Sequence, residues 1–408
     1  MDQTQRRRTV AYYAAVQFLF QIATGLWNYL NVYFRELGFS GQQVGLMSVG
    51  GTCLTLVLLP MLGVLGDKLR SPRTVFTWAV RLTVPLFLLV PVFGHLWGAA
   101  VTPFFLLSAA LILCIQVANS MLDSWSGAAM DKLGMGYGTI RRFGSLGFVC
   151  ICLLASALVG PVLPSWSCCV IMPLTGVALL LLMRTDKTEV RTRETRKEKT
   201  MSGKSLLGLV LHNYYFVAYL LLNLAFCAFL AIVNLCMSYL MDYAGASQSS
   251  LGVVSGVRAA AEIVAMFWIG RSKKLPPYWI LLAAGCLMVA VEHLIYPWMT
   301  SFGLMVAASL LSGVGGGLYY GLGASYVLQI VDHRAASTAM ALLGMVKAAV
   351  SIVGSAVGGT VIDRYGVTTL TSAVGIVVLV LTAAFVVACV LGRYVWKKPY
   401  ANEKEIAV

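Results

Sequence analysis

The chain has 408 residues, of which 59% are hydrophobic and 11% charged, whereas soluble globular domains carry about 25% charged residues. That balance excludes a soluble enzyme or binding module and requires a polytopic membrane protein. The net charge of +14 does not mark a nucleic-acid binder, because most of it sits in short loops and tails, where basic residues set membrane topology.

Apolar runs of transmembrane length recur along nearly the whole chain, each able to cross ~30 Å of hydrocarbon as a helix, and no ten-residue alternating strands are seen. The fold class is therefore an all-α helical bundle. Arg6, Arg7 and Arg8 precede the first run, which extends to about Phe34 without a small-residue cleavage site, so it reads as a retained span rather than a signal peptide. Spans are predicted near 11–34, 43–65, 74–94, 100–127, 139–161 and 164–184. The polar, mixed-charge stretch that follows predicts a flexible cytoplasmic linker at 185–207. Six more spans follow near 208–241, 248–270, 277–297, 300–330, 337–362 and 367–392, and a tail occupies 393–408. The result is two six-helix halves, 1–184 and 208–392, twelve spans in all.

Placing both termini in the cytoplasm puts Arg6 to Arg8, Lys68, Arg70, Arg73, Lys132, the Arg184–Lys204 cluster, Arg271, Lys273, Lys274, Arg334 and the tail lysines inside, and leaves Arg35 and Arg364 outside. That asymmetry predicts a multi-pass protein of the cytoplasmic membrane. All ten cysteines fall within apolar runs, with no CxxC or Cys/His ligand set, and read as structural filler. No metal or organic cofactor is expected. The stretches "GLMSVGG", "GGGLYYGLG" and "GSAVGG" place small residues where helix backbones can approach.

Arg81, Asp123, Arg141, Arg142, Arg258, Glu262, Glu292, His293 and Lys347 fall in or at the ends of these runs. A charge at the bilayer centre costs at least ~2.5–3.5 kcal/mol, so each needs a cavity, a partner or an escape to the interface. Arg81 and Arg142 stand near run ends and read as snorkelling anchors. Asp123 and Arg141 lie on consecutive antiparallel spans joined by one short loop and can meet across that seam. Paired, each offsets the other's burial, and both offer hydrogen bonds to a hydroxylated ligand; a purely structural salt bridge is the competing reading. Arg258 and Glu262 share a helix face at i, i+4, as a local pair or a functional one. Glu292 and His293 are adjacent and point about 100° apart, so at most one faces a cavity squarely. Both are proton carriers by chemistry, although His293, close to the Pro297 turn, reads as a wetted group. Lys347 is mid-span, beyond easy reach of the interface. Gln17, Gln21 and Asn28 stack along one face of the first span beside Trp27, as a cavity wall or as interhelical hydrogen-bonding groups.

Two segments carry a family resemblance. "PMLGVLGDKLRSPRTVFTW" resembles the loop after the second span of major facilitator transporters, in its GxLxDKLxxxR pattern, and "YGTIRRFGSLGF" is similar to the fifth-span entry of the lactose, phenylpropionate and nucleoside permeases. The resemblance implies twelve helices with substrate bound between the halves at mid-membrane, and a conformational switch at Asp67, Lys68 and Arg73. It implies that Arg141 binds substrate with Asp123 as its acidic partner, where the lactose permease has Glu, and that Phe148 stands where that permease stacks a Trp on the sugar. "AAEIVAMF" is similar to the eighth-span segment that carries a substrate-contacting, coupling glutamate, here Glu262. Lys347 resembles the eleventh-span lysine, and the seventh span offers Asn234 rather than an acid. The tenth span departs from the pattern, because "SLLSGVGGGLYY" holds no ionisable side chain.

The reading that follows is a monomeric secondary transporter, not an enzyme, bringing a small polar solute such as a sugar or oligosaccharide into the cell with protons. Its substrate site comprises Asp123, Arg141, Phe148, Glu262, Gln17, Gln21, Trp27 and Asn234, with Glu262, Glu292, His293 and Lys347 in coupling. Its partners are the solute, protons and the lipid bilayer, with no nucleic acid. The alternatives are a nucleoside–proton symporter, an exporter of drugs or aromatic acids and, from another class, a non-transporting membrane sensor.

Overall fold

A computed structural model describes residues 3–68, 72–98, 100–133, 135, 138–185, 208, 212–272, 275–331 and 336–398. The linker expected at 185–207 lies outside these residues apart from Thr185, as does the tail beyond 398. Thirteen α-helices run through the rest: α1 Gln3–Gly25, α2 Trp27–Glu36, α3 Gly41–Lys68, α4 Pro72–Trp97, α5 Val101–Lys132, α6 Gly138–Leu158, α7 Cys168–Thr185, α8 Tyr214–Tyr243, α9 Leu251–Arg271, α10 Tyr278–Ile295, α11 Phe302–Ile330, α12 Ala336–Tyr365 and α13 Val367–Val390. Among the described residues eleven segments are long and apolar enough to cross a membrane, and α3, with 28 residues, is a further long helix beside them. The backbone satisfies its hydrogen bonds within each segment, as a lipid solvent demands.

The first span differs from the continuous helix expected from residue 11 to 34. It breaks at Gly25–Leu26 into α1 and α2. Gly25 lies against Ile151, Phe148 and Cys152 of α6, so this turn of the chain has no room for a side chain.

Contacts sort the described residues into two compact units, one drawn from 3–185 with 246–259 and 355–363, the other from 208–245, 260–354 and 364–398. In the first, α1 packs on α6 and α7, α3 on α5, and α4 on α5 and α7. Its core holds Tyr13, Phe20, Phe76, Val80 and Trp125, with the Tyr13 and Trp125 rings edge to face at 5.0 Å. The α1–α6 approach is set by Gly147: a Cβ there would sit 2.5 Å from the Phe18 carbonyl oxygen, and backbone cannot swing aside. Close approach through small residues is the membrane substitute for a hydrophobic driving force between helices.

Two polar ties close the first unit. The Asp363 carboxylate accepts from the backbone N–H groups of Gly41 at 3.1 Å and Gln42 at 2.9 Å, an anion at the positive end of α3. The Tyr29 hydroxyl donates to the Ser249 carbonyl at 2.9 Å and accepts from the Gly252 N–H at 3.1 Å. In the second unit α10 packs on α11 and α13, and α8 on α13. Its aromatic layer is built by Phe226 stacked on Tyr319, with ring centroids 3.8 Å apart.

Gly147→Ala is expected to lower the melting temperature of the purified protein, because overpacking a tight seam costs about 1–3 kcal/mol. Gly344→Ala, where an added Cβ meets open space, should leave melting unchanged or raise it. Scanning fluorimetry of the two variants in one detergent makes the comparison, and equal melting of Gly147→Ala and the parent would refute the seam.

Candidate functional site

The α1–α6 seam brings three polar side chains to one point. A Cβ at Gly144 of α6 would lie 3.0 Å from Cγ of Gln21, 3.1 Å from Nη1 of Arg141 and 3.3 Å from Oε1 of Gln17. Gln17 is fully buried and Gln21 nearly so. Burial of a primary amide is tolerable only when it is hydrogen-bonded. Accordingly Gln17 Nε2 donates to the Ser126 hydroxyl of α5 at 3.1 Å, and Ser126 in turn donates to the Leu122 carbonyl at 2.6 Å. The Thr24 hydroxyl donates to Gln21 Oε1 at 2.6 Å. Asp123 is half-buried one helical turn before Ser126. The structure therefore assembles Gln17, Gln21 and Arg141, which the sequence places on two separate spans, and sets Asp123 on the helix that anchors Gln17.

Phe148 and Trp27 flank the break in the first span. A ring carbon of Phe148 stands 3.4 Å from the Cβ position of Gly25, and Trp27 meets Phe87 edge on at 6.2 Å. Both are half-buried. The side chains of Asn28 and Asn234 lie outside the described residues, as do those of Asp67 and Lys68. Arg73, the described member of the expected switch, donates to the Met183 carbonyl at 2.5 Å near the end of α7 and stands 5.6 Å over the Trp125 ring. A cation at a helix C-terminus complements its dipole, so Arg73 fastens the start of α4 to α7. Arg81 and Arg142 are exposed and lie over the rings of Trp78 and Phe143, in keeping with an anchoring role.

In the second unit Glu262 of α9 is half-buried, with Oε2 3.6 Å from the Cβ position of Gly316. A Cβ on the neighbouring Gly317 would sit 2.6 Å from the Glu262 carbonyl oxygen. The glycine run that replaces ionisable residues on the tenth span thus makes room for a carboxylate from α9. Lys347 is exposed on α12 and within electrostatic reach of Cys227 on α8. Sequence reasoning missed Asn223 and Tyr319: the Tyr319 hydroxyl donates to Asn223 Oδ1 at 2.7 Å while its ring stacks on Phe226. The signal was a single amide inside "LLLNLAFCAF", masked by its apolar neighbours.

The wetted position expected for His293 is not found. His293 is 1% exposed and Glu292 fully buried. Both pack into a cluster closed by Phe229 and Tyr296, whose rings meet the imidazole edge on at 5.2 and 5.4 Å. The Tyr296 hydroxyl donates to Glu292 Oε1 at 2.7 Å. His293 Nδ1 lies 3.2 Å from the Val289 carbonyl, to which it donates, and 4.0 Å from Glu292 Oε2. Tyr296 continues the helical path of α10 in right-handed helical backbone, so it stands one turn beyond Glu292 and caps the pair as a lid, burying both although a loop follows. The ten cysteines are all free.

The sequence profile of the MFS_1 like family matches residues 10–393. The "Uncharacterized transporter YwbF" of Bacillus subtilis (strain 168) is 25% identical over 319 residues, 77% of this chain and 76% of that protein. Among solved structures, the nucleoside transporter NupG superposes with a TM-score of 0.73 at 17% identity over 93% of this chain and 99% of that one. A POT family transporter in complex with 5-aminolevulinic acid reaches 0.72 at 12% identity, over 93% and 96%. An inward-facing, unoccupied bacterial homologue of the human lysosomal transporter Spinster reaches 0.65 at 15%, over 95% and 96%. At these identities the likeness to the solved structures is one of fold.

Tyr296→Phe deletes a buried hydrogen bond to a carboxyl group and is expected to destabilise by about 1–3 kcal/mol. A thermal melt unchanged from the parent would contradict the lid.

Proposed function

The chain belongs to the MFS_1 like family and is a multi-pass membrane transporter of the major facilitator type; from that premise we propose that it takes up a small hydroxylated solute, a sugar or oligosaccharide, in symport with protons. The observation that carries this reading is the convergence of Gln17, Gln21 and Arg141 at Gly144. Two amides and a guanidinium offer donors and acceptors in fixed directions, the complement of a ring of hydroxyls. Asp123 adds an acidic acceptor on α5, and Phe148 a ring face against which a sugar's C–H surface packs. Trp27 adds a ring on the first unit, and Asn234 and Glu262 are the solute contacts proposed on the second.

The proton is carried by Glu262, protonated from outside, with the Glu292–His293 cluster as a second titrating group and Lys347 as the positive charge that answers the emptied carboxylate. Neutralising Glu262 permits solute binding and the inward turn of an alternating-access cycle. Asp67, Lys68 and Arg73 act as the switch on the cytoplasmic side, both termini lie in the cytoplasm, and the transporter works as a monomer in the cytoplasmic membrane. No resident cofactor takes part. A second reading, nucleoside–proton symport, draws support from the fold likeness to NupG and from Phe148, whose flat ring suits a base as well as a sugar. Export of drugs or aromatic acids changes both the direction and the solute, with Phe148 packing on an aromatic ring in place of a sugar.

A thermal-shift screen of the purified protein against sugars, nucleosides and aromatic acids should yield one class that stabilises the parent. That shift should be lost in Asp123→Asn and Arg141→Gln; a shift surviving both refutes the site. In proteoliposomes, uptake of the same solute should need an inward proton gradient and fall at least tenfold in Glu262→Gln. Uptake indifferent to pH and to the gradient would refute the coupling, and substrate-driven proton flux in the opposite direction would establish export.

A further inference from the structure

A groove of about 760 Å³ runs along the outside of the α1–α6 seam, a size in the range of small-molecule sites, roughly 300–1,000 Å³. Arg6 and Arg7 stand at its mouth, and Val10, Ala11, Phe18 and Leu146 are prominent along its apolar wall. None of these six belongs to the solute site. Arg6 is held in place at the mouth by donating to the Leu133 carbonyl at 3.0 Å. The lining contains no acidic side chain among the described residues.

A cavity cationic at one end and apolar along its length selects a ligand that is anionic at one end and apolar along its length. In a bilayer, the abundant molecule of that build is an anionic phospholipid, and basic pockets between helices at a membrane face bind such headgroups. We propose that this groove is a binding site for one anionic phospholipid, its phosphate on Arg6 and Arg7 and an acyl chain laid along Ala11, Phe18 and Leu146. A zwitterionic headgroup carries its own cation to the same place and is disfavoured by the two arginines.

The test uses the full chain, delipidated in a neutral detergent, with phosphatidylglycerol, phosphatidylcholine or inorganic phosphate added, and reads bound mass by native mass spectrometry. Phosphatidylglycerol should bind at least tenfold more tightly than phosphatidylcholine, and inorganic phosphate should not compete. Arg6→Gln with Arg7→Gln should abolish the preference. Ala11→Trp, which fills the groove without changing charge, should weaken phosphatidylglycerol as well. All three positions are exposed, and the lipid comparison on the parent protein alone is decisive if a variant fails to fold. Equal binding of the two lipids, a preference that survives the double substitution, competition by inorganic phosphate, or a dimer that Ala11→Trp dissolves would each overturn the assignment.

Discussion

The closeness of α1 to α6 is the constraint on which the rest depends. With no side chain at Gly147 the backbone of α1 reaches the backbone of α6, and the bare Gly144 leaves the space in which Gln17 and Gln21 arrive beside Arg141. Helices in lipid gain nothing by hiding apolar surface from one another, so close packing and hydrogen bonding must supply the attraction. Here both act on one line of contact. The glycines bring the helices together, and the chain from Gln17 through Ser126 to the Leu122 carbonyl ties the same face of α1 to α5. The proposed solute contacts and bundle assembly therefore draw on the same residues.

The architecture was legible because the bilayer imposes it. Runs of apolar residues set the helices, and the few interior charges stood out against them. The polar stripe of Gln17 and Gln21 was legible from helical spacing alone. What lay beyond reach was the partner of each group, since spacing within one helix says nothing about its neighbour. Ser126 reads as an ordinary small residue until Gln17 is seen to donate to it, and Asn223 is lost in an apolar run until Tyr319 bonds to it. His293 shows the opposite error: a residue near a loop was read as wet, although Phe229 of α8 and Tyr296 cover it before the loop begins.

The glycine run on α11 illustrates how one helix can make room for an acid carried by its neighbour. Gly316 and Gly317 remove side-chain volume where Glu262 of α9 needs it. A carboxylate inside a membrane protein requires space for itself and for whatever neutralises it, and the cheapest source of space is an absent Cβ on the facing helix. The loss of ionisable residues from one helix is thus compatible with an acid at the same place.

The interruption of the first span at Gly25–Leu26 has a mechanical meaning. Each of its two rods is fastened to a different support: α1 along α6, and α2 through Tyr29 to Ser249 and Gly252. A continuous helix would carry twist from one support to the other, whereas a rod with a joint passes on push and pull but little torque. The interruption thus lets α2 take its direction from Ser249 and Gly252 while α1 keeps Gln17 and Gln21 in register with Arg141.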